Sequence, residues 1–376
     1  MGKTVSIIQT RLTHYRIPLF QKLRENLAKY GIDLKLIHGK AIGSESERND
    51  TGHLDWAIIV DNIKLKLCGV ELLWQPALKY IKNSDLVIVS QENRLLLNYL
   101  LLIKKVFNHK KIAFWGHGKN FQNMNPQNPK EVFKRFFLTK PDWWFAYTDL
   151  TKKILLDANY PASKISVLNN SIDTSEIKTF SKLVTEEKLF SLRSQIGIKG
   201  RHIGVFCGSI YPGKKINILL EAARQIRSQI DDFELVVIGA GPDAYIVCKA
   251  AKSFPWIHYV GPRFGYEKVL YMKLGQVFLL PYIVGLAILD SFALGIPIVT
   301  MIDGNHSPEI AYLIHGENGI ITGNSIADYT NAVCWLFSNP DKRSNIIKQC
   351  LIDADRYSIE NMVANFTEGI IKCLSQ

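Results

Sequence analysis

Apolar and polar positions in the first half of the chain follow two alternating periods. Short apolar runs at Val5–Gln9, Leu34–His38, Leu86–Ser90, Lys111–Trp115 and Trp143–Tyr147 read as strands. Between them Pro18–Tyr30, Leu72–Ile81, Arg94–Phe107, Glu131–Leu138 and Asp149–Ala158 carry apolar residues at helical spacing, and Gly31 closes the first of these. Strands alternating with helices predict a parallel sheet covered on both faces. Ligands of such sheets sit beyond the carboxyl ends of the strands. That places Gln9–Arg16, Gln91–Arg94 and Gly116–Asn120 where chemistry is expected.

The second half repeats the pattern with strands at Arg201–Gly208, Leu235–Ile238 and Ile257–Gly261 and a helix at Ile216–Ile230. Its most informative stretch is Val277–Thr300, VFLLPYIVGLAILDSFALGIPIVT. Val277–Leu280 reads as a buried strand, Pro281–Gly285 as a turn and Leu286–Leu294 as a helix. Gly295 and Pro297 stop that helix before a strand begins at Ile298. Further helices are expected at Ser325–Phe337, Asp341–Gln349 and Ser358–Leu374.

A length of 376 residues suggests two domains. The expected division is 1–172, a charged helical linker at 173–199, a second domain at 200–357 and a last helix at 358–376. A net charge of +12 implies an acidic partner: a membrane surface, nucleic acid or phosphorylated substrates. No nucleic-acid motif is present and the basic residues are dispersed, so nucleic acid is not expected. Six cysteines without a CxxC pair indicate neither a zinc site nor a disulfide scaffold, which suits a reducing cytoplasm. MGKTVSIIQT lacks a signal-peptide pattern, and no apolar run approaches the ~20 residues needed to span a bilayer.

A helix that begins at a glycine directly after a strand offers free backbone N–H groups and a positive dipole end, a ready anion site. Asp290 lies four residues after Leu286 and shares a face with that helix start. A carboxylate one turn from a phosphate site suits a ribose hydroxyl pair. An ordinary strand–helix–strand unit explains the same residues. Lys214 and Lys215 precede the helix at Ile216, where positive charge opposes the helix dipole unless an anion is bound; a solvent-facing lysine pair is the plainer reading. His117 sits between two glycines after a strand, either as a site residue or as a structural histidine. Arg11, His14 and Arg16 form a basic tip after the first strand, a grip on an anionic acceptor or a solvated loop. Leu95–Lys111 and Glu131–Lys140 interleave apolar and basic residues, as core helices do with solvated ends and as membrane-interface helices do along their length.

Val277–Thr300 resembles the nucleotide-sugar segment of family-4 glycosyltransferases, retaining enzymes of the GT-B fold. That family shows Glu-x7-Glu around Phe-Gly-Leu, then a small-residue helix and Gly-x-Pro. Gly285–Leu286, Ala293, Gly295 and Pro297 match, while Tyr282 and Asp290 stand at the two acidic positions. The family's Gly-Arg-x4-Lys-Gly segment resembles Gly208 through Lys215. Gly208 and Lys214 match there, Ser209 stands at the arginine, Lys215 stands at the glycine, and the Leu219–Ala223 helix follows. SVLNNSID at Ser166–Asp173, Gly239–Asp243, Glu309 and Glu317–Gly319 are similar to further family turns.

The resemblance implies an α/β GT-B fold: two Rossmann-like domains with parallel sheets facing a central cleft, the last helix crossing back to the first. It implies transfer of a hexose-type sugar from a nucleotide-diphosphate donor to a glycan or lipid-linked acceptor, with retention, in cell-surface polysaccharide synthesis. Donor diphosphate binding would fall to Gly208, Ser209, Lys214, Lys215, Gly285, Leu286 and Ala287, ribose binding to Asp290, and base binding to Pro262 and Arg263. Tyr282 would face the donor sugar. His117 would be the catalytic-site residue, orienting the sugar or departing phosphate, and Arg11, His14 and Arg16 would hold the acceptor. No cofactor and no metal are expected, the nucleotide-sugar being a co-substrate. The basic charge would place the protein in the cytoplasm on the inner membrane face, with an anionic membrane surface as a partner. Two alternatives remain: a GT-B nucleotide-sugar epimerase and a non-catalytic GT-B-like binding protein. An NAD-dependent oxidoreductase is disfavoured, since no strand–GxGxxG–helix is followed by an acid at the usual distance.

Overall fold

The computed structural model describes residues 2–42, 50–67, 70–105, 110–118 and 137–376. The chain divides into two compact units, Met1–Asp173 with Ser358–Gln376, and Thr174–Tyr357.

The first unit holds β1 (Lys3–Gln9), β2 (Ile32–Gly39), β3 (Ile58–Val60), β4 (Ile63–Leu67), β5 (Val70–Trp74), β6 (Leu86–Ser90), β7 (Lys111–Gly116), β8 (Trp143–Ala146) and β9 (Ile165–Val167). Seven strands form one sheet in the order β3-β2-β1-β6-β7-β8-β9, and all its pairings are parallel. Successive side chains on a strand point to opposite faces. Val5 and Ile7 therefore enter one core with Trp115 and Phe145, while Ile8, Val87, Val89 and Trp144 enter the other. The helix Ile359–Ser375 closes the first core with Met362, Phe366 and Ile370. The C-terminal helix thus completes the N-terminal unit. Phe366 packs 5.1 Å from the Trp115 ring and 4.6 Å from Phe145.

The helix expected at Leu72–Ile81 does not form. Leu72–Trp74 belongs to β5, which pairs antiparallel with β4 (Ile63↔Trp74, Leu65↔Leu72), and turns follow. The apolar spacing is real, but Pro76 lacks an N–H donor and biases Gln75 toward an extended backbone, so a hairpin prevails. The short edge strand β9 has too few residues to show a period. Residues 119–136, which include most of Glu131–Lys140, and residues 106–109 lie outside the described residues. Among the described residues no helix is long and apolar enough to cross a membrane.

The segment 174–199 forms two helices, Ser175–Leu183 and Glu186–Ile196. The break falls at Thr185, whose hydroxyl accepts from the Lys188 N–H and caps the second helix. The first of them packs on Gly265–Met272 and Ala287–Leu294 within the second unit. That unit carries β10 (His202–Cys207), β11 (Phe233–Ile238), β12 (Ile257–Gly261), β13 (Val277–Leu279), β14 (Ile298–Met301) and β15 (Gly319–Thr322). Their order is β12-β11-β10-β13-β14-β15, again parallel. Strand order reverses at β10, so the crevice beyond β10 and β13 is the topological switch point.

Backbone bonds hold that rim together. Gly208 N–H donates to Ile238 O at 3.0 Å, Ile210 N–H to Ala240 O at 2.8 Å, and Gly239 N–H to Gly261 O at 2.9 Å. The approach needs a residue without Cβ at 239: its φ is +145°, and a Cβ would overlap the Gly208 carbonyl oxygen. Gly197 differs, with φ +79° and open space where a Cβ would lie. Gly239→Ala should therefore cost about 3 kcal/mol of stability, from strain plus overlap, and Gly197→Ala about 1 kcal/mol. Denaturant midpoints of the two variants check the ranking, and equal losses would contradict it.

Candidate functional site

At the second unit's switch point the chain leaves β13 through Pro281–Gly285 and enters the helix Ala287–Leu294. The turn contains Ile283 at φ +52°, costly for a β-branched residue. Several bonds hold it there. Ile283 N–H donates to Gly304 O at 2.6 Å, and the Lys214 ammonium donates to Ile283 O at 2.6 Å. Met301 N–H donates to Pro281 O at 3.2 Å and Ser307 N–H to Val284 O at 2.9 Å.

His306 completes the brace. Val284 N–H donates to its Nδ1 at 3.0 Å, so the proton resides on Nε2, which donates to Met301 O at 2.7 Å. Burial lowers its pKa below the ordinary value, and nearby Lys214 adds to this, against smaller raising effects of the Met301 bond and Asp303. The neutral ring is the form that can accept from Val284.

The helix start carries no side-chain cap. Among the described residues the N–H groups of Gly285, Leu286 and Ala287 have no hydrogen-bond acceptor, as an anion site requires. Lys214 arrives from the other side of the switch point, on the short turn Pro212–Lys214 after β10. Burial lowers its pKa to about 8, so it is mostly charged at neutral pH. Lys215, at φ +50°, stands directly before the helix Ile216–Gln229 without a side-chain cap bond, and it is exposed, as is Ser209. Gly208 begins the same loop, directly after β10, with open space at its missing Cβ.

Asp290 is buried on the same helix, one turn in, and its Oδ2 pairs with the Lys268 ammonium at 2.5 Å. Its Oδ1 is buried without a hydrogen bond. Lys268 comes from the helix Gly265–Met272. Burial acts to lower its pKa, but the Asp290 carboxylate outweighs this and holds it above the ordinary lysine value. Burial also pushes the Cys207 thiol, at the end of β10, up to about 12; its charged neighbours are Lys268, Asp290 and Lys214. Tyr282 lies half-buried in the strained turn, and Pro262 and Arg263 lie on the turn after β12. Arg263 reaches Glu267 at 3.4 Å and stacks over Tyr271.

In the first unit the strand order reverses at β1, so its switch point lies beyond β1 and β6. The basic tip there is largely engaged. Arg11 makes a two-pronged ion pair with Asp50, at 2.5 and 3.0 Å. Arg16 donates to Asn170 Oδ1 at 2.7 Å and Ser171 O at 3.3 Å and lies over the Trp115 ring. His14 is exposed, and its Nδ1 is 3.4 Å from Asp50 O. His117 is exposed at the end of β7, edge-on to Tyr147 with ring centres 4.3 Å apart. Glu92, within the expected Gln91–Arg94 stretch, accepts from Thr10 at 3.4 Å and Arg94 at 2.8 Å on this rim. Sequence reasoning missed Lys268, His306 and Ile283. None of these carries a motif; only contacts made through the fold reveal them. No group of His, Cys, Asp or Glu suited to a metal ion occurs among the described residues.

Residues 201–339 match the family described as "Glycosyl transferases group 1". No curated protein matches the chain. Among solved structures, Anabaena HepE in complex with UDP is similar with a TM-score of 0.70 at 13% identity, over 98% of this chain and 99% of that one. WaaG, a glycosyltransferase involved in lipopolysaccharide biosynthesis, gives 0.65 at 12%, over 97% and 98%. A Listeria monocytogenes protein described as a UDP-N-acetylglucosamine 2-epimerase gives 0.61 at 16%, over 97% and 94%. These likenesses establish the fold, the GT-B class of two Rossmann-like parallel-sheet domains.

The His306 brace carries a pH signature. Its folded pKa lies below the ordinary 6.5, so between the two values the unfolded chain binds more protons and stability rises with pH. The contribution is complete above pH about 6.5 and is lost as pH falls through the folded pKa. Native protein should lose more melting temperature between pH about 7.5 and about 5 than His306→Asn does. Parallel thermal melts measure the difference; identical pH profiles would refute it.

Proposed function

We propose that the protein is a glycosyltransferase moving a hexose-type sugar from a nucleotide-diphosphate donor to a glycan or lipid-linked acceptor in cell-surface polysaccharide synthesis. The observation that carries this is the uncapped helix start at Gly285–Ala287 with the Lys214 ammonium held beside it at Ile283. Gly208, Ser209 and Lys215 line the same switch point and would complete the diphosphate site. As the sugar C1–O bond breaks, the departing diphosphate gains negative charge. Preoriented N–H groups and lysines stabilise that charge without reorganising. Two cations and a helix dipole already supply this role, which supports a metal-independent reaction; retention of configuration rests on the sequence resemblance. Asp290 would hold the ribose, the Pro262–Arg263 turn the base, and Tyr282 the donor sugar.

On the first unit His117, exposed and seated on Tyr147, is the proposed hydrogen-bonding residue for the sugar or departing phosphate. With Arg11 and Arg16 engaged by Asp50, Asn170 and Ser171, His14 is the residue of that tip most open to an acceptor. Lys79, Lys82, Lys104, Lys105 and Lys110 line a groove with an apolar floor. That arrangement supports a cytoplasmic protein resting on an anionic inner membrane face, worth roughly 1 kcal/mol per lysine near the surface. A second reading, nucleotide-sugar epimerase, is supported by the likeness to the Listeria monocytogenes protein described as a UDP-N-acetylglucosamine 2-epimerase. It predicts turnover of donor with no acceptor present.

Thermal melts with UDP-, GDP-, ADP- and CMP-sugars and the free diphosphates test the proposal. One nucleotide class should raise the midpoint of the native protein. Lys214→Ala with Lys215→Ala, and Asp290→Ala, should abolish the shift. His117→Ala should keep the shift and lose transfer. No shift with any member sinks the donor reading. Since Lys214 titrates at about 8, diphosphate affinity should fall as pH rises from about 7.5 to about 9.5, with proton uptake on binding. Lys214→Arg, which stays charged, should flatten that slope in calorimetry.

A further inference from the structure

Within the donor site just proposed, and resting on that reading, the geometry points to Lys268 as the residue that sets ribose recognition by holding Asp290 in place. Three observations converge on it.

The first is the pair itself. Lys268 Nζ and Asp290 Oδ2 are 2.5 Å apart, with side chains 25% and 10% exposed. Removing one partner of so buried a pair leaves the other charge uncompensated. The second is asymmetry. Oδ2 is engaged, while Oδ1 is buried with no hydrogen bond. An unpaired buried acceptor is costly, and a ligand hydroxyl that donates to it recovers that cost. The third is placement. Asp290 stands one turn into the helix whose N-terminal N–H groups are open, and Lys268 stands on the helix that follows the Pro262–Phe264 turn. Lys268 and Lys214 both act on Cys207 at the end of β10. The ion pair thus ties the segment proposed for the base to the segment proposed for the phosphates, at the point between them where a ribose lies.

An aspartate is one methylene shorter than the glutamate expected at this position from the resemblance. A short carboxylate left free would adopt several rotamers. Anchored through Oδ2 by Lys268, it has one oxygen committed and the other reserved for a donor. Lys268 is a positioning residue in this scheme. It acts through Asp290, and its ammonium makes no other hydrogen bond among the described residues.

Calorimetric titration of the native protein, Lys268→Met, Lys268→Arg and Asp290→Asn with UDP, GDP and ADP and their 2′-deoxy and 3′-deoxy forms tests the inference. For whichever base binds, the native protein should prefer the ribonucleotide over a deoxy form by about tenfold or more. In Lys268→Met that preference should collapse to about twofold, and Lys268→Arg should restore most of it. Circular dichroism establishes that each variant is folded. An unchanged ribo-to-deoxy ratio in Lys268→Met, or an equal loss for both forms, overturns the inference and marks the pair as purely structural. Absence of binding by the native protein to every nucleotide defeats the donor reading itself, a different result from binding without hydroxyl preference.

Discussion

The hydrogen bond from the Lys214 ammonium to the Ile283 carbonyl, 2.6 Å long, is the constraint on which the second unit's rim depends. It joins the loop after β10 to the loop after β13, the two loops that flank the reversal of strand order. Both loops hold residues in the left-handed region, Lys215 at φ +50° and Ile283 at φ +52°. Such conformations persist only where the surroundings over-determine them. Here those surroundings are Lys214, Gly304, the Val284–Ser307 bond and the neutral ring of His306. What results is a helix start whose N–H groups are held open, beside a lysine whose charge burial has made responsive to its partner.

Net charge is a poor guide to where charge is available. The chain carries +12, yet on the first unit's rim Arg11 and Arg16 are engaged by neighbours in their own unit. Arg16 serves the join between the segment after β9 and the returning C-terminal helix: it bonds Asn170 and Ser171, and the Ser171 N–H in turn meets the Met362 sulfur at 3.1 Å. Five lysines gather instead around the groove at Lys79–Lys110, where Lys105 pairs with Asp142 and Lys110 donates to the Lys82 carbonyl. Charge counts speak to partners in general, and contacts decide which surface meets them.

The departures from the family pattern acquire physical content in the fold. Asp290 is short, and Lys268 stands against it. Ser209 is exposed where an arginine was expected, with Lys215 exposed six residues on. Positive charge around the switch point therefore comes from lysines on two separate segments, Lys214 and Lys215 on the loop after β10 and Lys268 on the helix Gly265–Met272, where a motif would concentrate it in one.

The alternation of apolar runs was enough, by itself, to determine two parallel-sheet units. A strand buried on both faces needs a near-continuous apolar run, and a helix lying on it needs a 3.6-residue period. Val277–Thr300 likewise specified its strand, turn and helix through the order of Gly285, Gly295 and Pro297. Local pattern failed at Leu72–Ile81, where Pro76 and cross-strand pairing to Ile63–Leu67 outweighed helical spacing. It was silent on Lys268 and His306, because a side chain's partner 22 residues away leaves no trace in its neighbours. Which charges are spent, which carboxylate oxygen is left over and which N–H groups stay open depend on contacts distant in sequence. Only the tertiary structure decides them.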